Sequence, residues 1–475
     1  MKLSLGVLCT SLLGAEAAAA RRPQLTPEAV AADVDWIGLK NVLGNLYTIA
    51  KNHGGNRAFG LPGYRFSMDY VLQRVRIRFD KYFHTEVQEF TQLYYQLNEI
   101  SLAGPEGQDI PVFSMIYNAA TPRPHGITAP LINIPVDDDR GSACFADQWN
   151  GIDASGKIAL IKRGKCSVDA KAKLATAHGA LAVIIYSEAG GINYPAYLTA
   201  ENAGKLVPIG GVGAGVGSNW SQRLAAGEQL KVRLIVDAIT EPRRCWNIIS
   251  ETREGDPNNV VLIGTHLDSV PTGPGINDNG SGIAALLEMV NSFRKFTGLK
   301  NKIRFAWWGA EEVGLVGSSH YASSLNETEA DKIRLYMNFD TIGSRRPNYT
   351  VEANDDADRI AAAPLLEHLL LHGGLPAKIV PYSPMSSNYY GFIKLGIPTT
   401  GITAGTMFPL DNPPDPCFHE ACDDIDNVSQ QAVVANSRAA AYAAAKFALS
   451  LDGVPARNKT TAMARAGETL QLPYW

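Results

Sequence analysis

The chain has 475 residues, more than a single hydrophobic core usually accommodates, so at least two folded units are expected. Its composition is 45% hydrophobic and 19% charged, which is typical of globular proteins and argues against disorder. The net charge is only -4 and there is no Lys/Arg-rich run, so the sequence gives no reason to expect a nucleic-acid partner.

The first residues have the pattern of a secretory signal peptide. Lys2 provides a positive charge, residues 3–13 are mostly apolar, and residues 15–20 offer small side chains for cleavage. The apolar stretch is too short to span a bilayer, and no later segment has the length of a transmembrane helix. We therefore predict a signal peptide over residues 1–20 and a protein without a membrane span. Its expected destination is the extracellular space, or alternatively a vacuolar lumen.

The cysteine content agrees with export. Of the six cysteines, Cys9 leaves with the signal peptide, and the remaining five allow two disulfides and one free thiol. Asn-X-Ser/Thr triplets begin at Asn219, Asn279, Asn326, Asn348, Asn427 and Asn458. All of these asparagines except Asn279 are taken as glycosylation candidates.

The first third of the chain begins with a basic, proline-containing stretch over residues 21–27. Periodic apolar residues predict helices over Asp33–Lys51 and Ser67–Phe83. Alternating segments predict strands over His84–Phe90 and Leu93–Leu102. These elements are expected to open the main domain.

Residues 111–240 have a different texture, because glycine, proline and alanine become frequent. Lys157–Lys162 and Ala182–Tyr186 predict short strands, with a helix over Ser167–His178 between them. The glycine-rich run Gly210–Gly217 does not match a nucleotide-binding fingerprint, and we predict a loop there. This region is interpreted as a separate small module.

From Asn247 onward, strands and helices alternate. The predicted elements are the strands Val260–Leu267, Lys302–Trp308 and Ile333–Phe339, and the helices Ile283–Phe296, Ala357–His372, Asn388–Leu395 and Ser429–Leu451. Such alternation predicts an α/β fold, a mainly parallel mixed sheet sandwiched by helices.

Metal-ligating side chains occur where these strands end. His266 and Asp268 lie two residues apart in GTHLDS, so a carboxylate can orient an imidazole on the same side of the strand. Asp278 follows in GPGINDNGSG, a glycine-rich loop between a strand and a helix. Taken alone, the first pattern is more often a structural histidine, and the second is more often a surface turn.

Two further motifs add carboxylates and a second histidine. Glu311 and Glu312 end the strand before VGLVGS, and Asp340 ends the strand in MNFDTIG. His419 lies in PCFHEACDD, between Cys417 and Cys422, which could close a tight loop around it or serve as zinc-thiolate or redox cysteines. The adjacent glutamates alone could equally be a solvated acidic turn.

Together, these signals place two histidines and several carboxylates at the rim of one sheet. Histidine and carboxylate ligands without thiolates suit zinc at an open catalytic site. The set suffices for two zinc ions per chain if one carboxylate bridges them, which would let the metals activate a shared water.

The motifs GTHLDS, GPGINDNGSG, AEEVGLVGS, NFDTIG and CFHEACDDIDN resemble those of the co-catalytic zinc aminopeptidases, in family order and with similar spacing. This family includes bacterial secreted leucyl aminopeptidases and fungal vacuolar aminopeptidase Y. The resemblance implies a zinc-peptidase fold and peptide substrates with a free N-terminus. It also implies that His266 and Asp340 bind one zinc, that His419 and Glu312 bind the other, and that Asp278 bridges them.

The same resemblance implies the catalytic roles. Glu311 matches the general base, and Asp268 matches the carboxylate behind His266. In the implied mechanism, a metal-bridging hydroxide attacks the first peptide carbonyl, and Glu311 passes the proton to the leaving amine.

GKIALIKRGKCS and GALAVIIYS resemble a protease-associated domain, here inserted into the peptidase. The expected organisation has five parts: signal peptide 1–20, start of the peptidase domain 21–110, inserted domain 111–240, catalytic domain 241–455 and C-terminal tail 456–475. Sequence proximity and the two resemblances imply Cys144–Cys166 and Cys417–Cys422 disulfides, with Cys245 free. We expect a monomer whose inserted domain shapes substrate access or recognises partners.

Three other classes of protein have the same fold. A carboxypeptidase or dipeptidase can use the same zinc ligands but should place positive charge beside the site, and no clear positive cluster is seen. A single-zinc glutaminyl cyclase or a non-catalytic receptor-like ectodomain should have lost ligands, whereas all five are present. A serine hydrolase is disfavoured because no Gly-X-Ser-X-Gly elbow occurs.

One stretch departs from the family pattern, which commonly has Arg-Ser-Asp followed by His or Tyr. Here the sequence is Ser386, Ser387, Asn388 and Tyr389, and the last three are candidates for the substrate pocket. If Asn388 lies near the metals, the lost charge should weaken binding of zinc or of a cationic amine. Alternatively, Asn388 only caps the next helix. Thr399–Gly405 (TTGITAG) also departs from the more usual Gly-Gly-Leu-Phe-Thr-Gly.

Overall fold

The computed structural model describes residues 22–187, 198–383 and 386–460. The predicted signal peptide and the last part of the predicted tail lie outside these residues. In the described parts, the helices are α1 (Pro27–Ala32), α2 (Trp36–Asn52), α3 (Pro62–Leu72), α4 (Val168–Ala177), α5 (Ala214–Ala225), α6 (Gly280–Phe293), α7 (Val316–Ser324), α8 (Glu327–Lys332), α9 (Asp356–Glu367), α10 (Tyr390–Lys394) and α11 (Gln430–Leu449).

The strands of the described residues are β1 (Phe83–Ala103), β2 (Ile127–Asn133), β3 (Ile158–Lys162), β4 (Ala182–Ser187), β5 (Ile209–Gly213), β6 (Lys231–Thr252), β7 (Asp256–His266), β8 (Asn301–Trp308), β9 (Ile333–Phe339), β10 (Thr350–Glu352), β11 (Lys378–Val380) and β12 (Thr399–Thr403). Single π-helical turns extend α3 over Gln73–Ile77 and α9 over His368–His372.

The strands form one mixed sheet in the order β11-β10-β12-β9-β7-β8-β6-β2-β3-β4-β5, and β1 pairs with β6. Its central strands β8, β7, β9 and β12 are parallel. Strand β6 runs antiparallel to β8, and β10 runs antiparallel to β12 but parallel to β11. The predicted α/β class with a mainly parallel sheet is therefore confirmed.

The helices cover both faces of the central sheet. On one face, α6 and α11 pack with α1 and α2 against apolar side chains of β7, β8 and β9. Helix α6 is buried on nearly all sides, as its apolar sequence predicts. On the other face, Trp308, Tyr336, Tyr389 and Phe392 form an aromatic cluster. These two layers fix the strand ends that carry the polar motifs.

The long strands β1 and β6 correct one expectation. His84–Phe90 and Leu93–Leu102 were expected to be two strands, but they belong to one continuous strand. Its antiparallel partner β6 is similarly long and pairs with it along nearly its whole length, so the two strands form one continuous antiparallel ribbon. The ribbon carries the chain between the central sheet and the inserted module.

The inserted module forms its own parallel layer from β2, β3, β4 and β5. The expected loop over Gly210–Gly217 is wrong, because this run forms the end of β5 and the start of α5. Its glycines serve close packing: a Cβ on Gly217 would lie 2.1 Å from the ring of Tyr186, and one on Gly211 would lie 2.1 Å from that of Phe113.

Candidate metal centre

Six polar side chains converge at the C-terminal edge of the parallel strands. His266 is the last residue of β7, Asp340 directly follows β9, and Glu311 and Glu312 follow β8 after a two-residue turn. Asp278 lies in the loop before α6, and His419 lies in the loop between β12 and α11. In open α/β sheets this edge is where ligands bind.

The first half of the cluster surrounds His266. Its Nε2 lies 3.1 Å from Oδ1 of Asp278 and 3.3 Å from Oδ1 of Asp340. Glu311 offers a further carboxylate oxygen within 4.8 Å of the histidine and Asp340 ligand atoms. His266 is buried, which lowers its pKa, but the nearby carboxylates of Asp340, Glu311 and Asp278 outweigh burial and raise it.

The second half surrounds His419, whose Nε2 lies 3.2 Å from Oδ2 of Asp278 and 3.1 Å from Oε2 of Glu312. Asp278 therefore directs one oxygen to each histidine. Although burial alone would raise its pKa, the hydrogen bonds from His266 and His419 lower it. The backbone at His419 is left-handed (φ 62°), which is rare for a residue with a Cβ.

The donor set fits zinc. Two ligands of one tetrahedral zinc ion, each about 2.0–2.1 Å from it, lie roughly 3.3 Å apart. The histidine-to-carboxylate distances of 3.1–3.3 Å match this value. Oε1 of Glu312 is buried and has no hydrogen-bond partner among the described residues, so it too could face a cation. The predicted ligands can thus form two groups that share Asp278.

The paired glutamates experience strong local repulsion. Burial raises the pKa of Glu312 to about 7, and Asp278 contributes further, although His419 acts against it. The pKa of Glu311 is raised by burial and by the carboxylates of Glu312 and Asp340, with His266 opposing the rise. Carboxylates packed this closely favour either a bound cation or a retained proton.

Asp268 was expected to orient His266 with its carboxylate, and the contacts differ. Nδ1 of His266 lies 3.1 Å from the main-chain oxygen of Asp268 and 3.9 Å from its carboxylate. The carboxylate accepts hydrogen bonds from the backbone amides of Glu311 at 3.0 Å and Glu312 at 3.3 Å. The side chain of Asp268 thus holds the turn that presents both glutamates.

Arg57 has a part in the site that the sequence did not reveal. Its guanidinium is fully buried and donates to the carbonyl oxygens of Leu267 at 2.6 Å, Pro274 at 2.9 Å and Gly275 at 2.6 Å. Burial lowers its pKa to about 10, with nearby Asp268 opposing the shift. Arg57 thereby ties the loop after His266 to the loop that carries Asp278.

Asp423 supports the shared carboxylate from the other side. Its two oxygens accept hydrogen bonds from the backbone amides of Asn277 and Asp278, each at 2.9 Å. Burial raises the pKa of Asp423 to about 7, and the nearby carboxylate of Asp415 contributes. Asp423 follows Cys422, so the loop that carries His419 also positions Asp278.

The substrate-pocket candidates fall into two groups. Ser387 donates to Oδ2 of Asp340 at 2.6 Å, and both it and Tyr389 line the cavity beside the cluster. Asn388 was also a candidate, but it is fully buried, lies outside the cavity lining and donates to Oγ of Ser318 at 3.0 Å. It makes no capping bond to α10 either.

The cavity extends from the cluster to a second, mainly polar wall. Besides the candidate ligands and Glu311, its lining residues are Thr341, Glu352, Ser386, Ser387, Tyr389, Thr403, Gly405, Thr406 and Phe418. The described lining residues include no lysine or arginine. No lining residue among them comes from residues 111–240. The cavity is therefore acidic at the cluster and uncharged or acidic elsewhere.

The structure contains the disulfides that the resemblances implied, Cys144–Cys166 and Cys417–Cys422. Cys245 is free and buried, and its Sγ lies 3.3 Å from the hydroxyl of Tyr64. Burial raises the pKa of Cys245 to about 12, so this thiol is not poised for nucleophilic chemistry.

The glycosylation candidates differ in exposure. Asn219, Asn326, Asn348 and Asn458 are exposed. Asn427 is not accessible, because it is buried and its amide donates to the carboxylates of Asp415 and Asp423. Asn427 is therefore removed from the candidates. Among the described residues, no helix is long and apolar enough to cross a membrane.

Comparisons with known proteins agree with the fold. The model of peptidase family M28 matches residues 247–444, and the PA domain model matches residues 127–220. Probable leucine aminopeptidase 2 of Aspergillus fumigatus is 33% identical over 435 residues, covering 86% of this chain and 83% of that protein. The molecule is thus a metallo-exopeptidase, as predicted. It belongs to peptidase family M28 and carries an inserted PA domain.

Solved structures show the same architecture. An aminopeptidase from Aneurinibacillus sp. strain AM-1 superposes with a TM-score of 0.64 at 25% identity, covering 88% of this chain and 95% of that one. BSAP, a zinc aminopeptidase from Bacillus subtilis, superposes with a TM-score of 0.58 at 26% identity, covering 86% of this chain and 94% of that one.

Proposed function

We propose that this chain is a secreted di-zinc aminopeptidase that removes single residues from peptides with a free N-terminus. Its family membership supports the peptidase class, and the relatives named as leucine aminopeptidase or zinc aminopeptidase support the reaction and the metal. The observation that carries the two-metal proposal is the geometry of Asp278, whose two oxygens face two different histidines.

In this proposal, His266, Asp278 and Asp340 hold one zinc, and His419, Asp278 and Glu312 hold the other. Bound zinc would lower the pKa of a coordinated water and polarise a substrate carbonyl. Ligation needs neutral imidazoles. At His266, the hydrogen bond from Nδ1 to the main-chain oxygen of Asp268 would orient the ring and leave Nε2 for the metal.

Glu311 is proposed as the general base. Its carboxylate is buried within the cavity, and burial together with neighbouring carboxylates raises its pKa, so it can take up a proton and hold it. Glu311 would accept the proton of the attacking water and return it to the nitrogen of the leaving amine. Asp268 would keep it in place through the backbone amide of Glu311.

The charge of the cavity supports exopeptidase action at the N-terminus. A carboxypeptidase needs a cation to bind the C-terminal carboxylate, and no lysine or arginine occurs among the described lining residues. The acidic cluster instead favours an α-amine. The inserted domain, predicted over residues 111–240, is proposed to shape access to this cavity or to recognise partners.

The proposed secretion rests on the N-terminal sequence pattern and on two disulfides, which persist in oxidising compartments. Exposed glycosylation triplets at Asn219, Asn326, Asn348 and Asn458 are consistent with it. The destination is proposed to be extracellular, with a vacuolar lumen as the alternative.

Metal analysis combined with a substrate panel tests the proposal. The purified protein should contain two zinc ions per chain and should cleave peptides that have a free N-terminus. Matched N-acetylated peptides should remain intact, and mass spectrometry should show loss from the N-terminus only. Release of C-terminal residues, or equal cleavage of acetylated peptides, would contradict the proposal.

A further inference from the structure

The cavity contains a carboxylate that the proposed reaction does not use. Glu352 is the last residue of β10 and pairs with Gly401 of β12. A Cβ on Gly401 would lie 3.2 Å from Oε2 of Glu352, so the carboxylate lies over this glycine. Glu352 lines the same cavity as Asp340, on the wall away from the two histidines.

No positive charge or hydrogen-bond donor in the described ranges compensates the Glu352 carboxylate. Among the described residues, no lysine, arginine or histidine pairs with Glu352, and no donor is hydrogen-bonded to its carboxylate. Burial raises its pKa to about 8, and the nearby charge of Asp340 adds to the rise. Glu352 is partly exposed to the cavity. A carboxylate enclosed there without a partner is costly, and a ligand that brings a cation would remove that cost.

The surrounding wall is suited to a polar ligand group. Thr403 and Thr406 line it, together with Ser386. Thr403 is the last residue of β12. Ile402, its neighbour in β12, is buried in the core. The wall thus offers hydroxyl groups beside the carboxylate of Glu352.

The distance across the sheet suits a long side chain. The Glu352 carboxylate lies over β12, and β9 separates β12 from β7, the strand that ends in His266. Because neighbouring strands lie about 4.8 Å apart, the carboxylate lies roughly 10 Å across the sheet from the strand of His266. A residue whose scissile carbonyl lay at the histidine cluster would reach Glu352 only with an extended side chain.

We propose that Glu352 binds the cationic side chain of an N-terminal lysine or arginine, and so makes this peptidase selective for basic N-termini. This inference rests on the proposed aminopeptidase function and names its substrate class. Charge-assisted hydrogen bonds to the carboxylate and hydroxyl contacts from Thr403 and Thr406 would hold the cation.

Kinetics on the zinc-loaded protein test the proposal. The substrates are p-nitroanilides of lysine, arginine, norleucine and leucine, because norleucine matches the lysine chain without its charge. The wild type should show kcat/KM at least about tenfold higher for lysine than for norleucine, given that hydrogen bonds to charged groups contribute about 1.5–3 kcal/mol. Glu352→Gln should lower the lysine-to-norleucine ratio by about tenfold or more.

Two variants control for charge and fold. Glu352→Asp keeps the charge and should retain a preference for lysine. Glu329→Gln removes a carboxylate that pairs with Lys332 in α8, outside the cavity, and should leave the lysine-to-norleucine ratio unchanged. A wild-type lysine-to-norleucine ratio of kcat/KM at or below one would overturn the proposal, whatever the variants show. An unchanged ratio in Glu352→Gln would overturn it as well.

A binding measurement separates this proposal from the proposed function. Calorimetry with free L-lysine and L-norleucine on the zinc-loaded wild type and Glu352→Gln should show tighter lysine binding that depends on Glu352. If no substrate is cleaved although zinc is bound, the aminopeptidase assignment fails and the calorimetry alone decides on Glu352. Cleavage of leucine and norleucine without any preference for lysine overturns only the role of Glu352.

Discussion

The two disulfides of the molecule restrain different regions and should have different consequences. Cys417–Cys422 closes a loop with a sequence separation of 5, which contains His419 in its left-handed conformation and leads directly into Asp423. Cys144–Cys166 spans 22 residues of the inserted module, which contributes no candidate ligand. Loop-closure entropy predicts a larger stability contribution for the longer loop, about 3 kcal/mol against about 2 kcal/mol. The shorter loop should nevertheless matter more for the metal site.

Buried charged side chains also differ between the inserted module and the metal-site edge of the sheet. In the inserted module, the carboxylate of Asp169 accepts hydrogen bonds from the amide of Thr199 and the side chain of Asn202, and Lys171 donates to the carbonyl of Ser142. At the sheet edge, Glu311 and Glu312 instead face further carboxylates. Satisfied buried charges indicate a structural role, whereas mutually repelling ones indicate a ligand site.

The largest effect should come from Asp278, the carboxylate shared by both histidines. Asp278→Asn should lower the zinc content below one ion per chain and reduce turnover by roughly a thousandfold, because metal activation contributes several kcal/mol. Metal content by plasma mass spectrometry and turnover on leucine p-nitroanilide measure this. Asp169→Asn removes a buried carboxylate from the inserted module and should leave zinc unchanged. Full zinc occupancy in Asp278→Asn would refute the shared-ligand assignment.

Glu311 should affect catalysis without affecting the metal. Glu311→Gln keeps the shape of the side chain but removes the group that accepts the proton, so kcat should fall by about a hundredfold or more. Zinc content and melting temperature should stay close to those of the wild type. Near wild-type turnover would exclude Glu311 as the general base, and loss of zinc would assign it to the ligands instead.

Exchange of each disulfide for serines sharpens the comparison of the two loops. Cys417→Ser with Cys422→Ser should weaken zinc binding by about 10–100-fold, the scale for lost positioning of a ligand. Cys144→Ser with Cys166→Ser should lower stability by about 3 kcal/mol and leave zinc affinity unchanged. Zinc titration and urea unfolding of both variants measure the two quantities. Equal zinc affinity in the two double-serine variants would mean that the Cys417–Cys422 loop does not position His419.

The parts predicted from sequence depended on local patterns. Strand Ile333–Phe339 was predicted with its observed bounds because an apolar run ends there in a carboxylate. The residues proposed as ligands lie together because the carboxyl ends of parallel strands share one edge. The zinc stoichiometry and the roles of these residues stay predictions.

The parts that the sequence could not provide depend on contacts between distant residues. Arg57 contacts carbonyl oxygens more than two hundred residues away, and no local pattern around it indicates that role. Glu352 ends a strand of three residues, too short for a periodicity signal. The direction of Asn388 depends on the turn before α10, which spacing alone does not determine.

The prediction for Asn388 has the smallest expected effect. The family resemblance suggested that aspartate at this position could change zinc binding or activity. Its side chain is fully buried, its amide donates to Ser318, and Oδ1 has no partner in the described parts of the chain. Asn388→Asp would bury a charge with a single hydroxyl donor, so unfolding free energy should fall by about 1–3 kcal/mol. Because Asn388 lies outside the cavity lining, kcat/KM and zinc affinity should stay within about twofold of the wild type. Ser318→Ala, which removes the hydroxyl partner, should give a smaller loss of stability and equally unchanged kinetics. Higher activity or tighter zinc in Asn388→Asp would show that the charge at this position acts on the metals through the intervening Ser387 and Asp340.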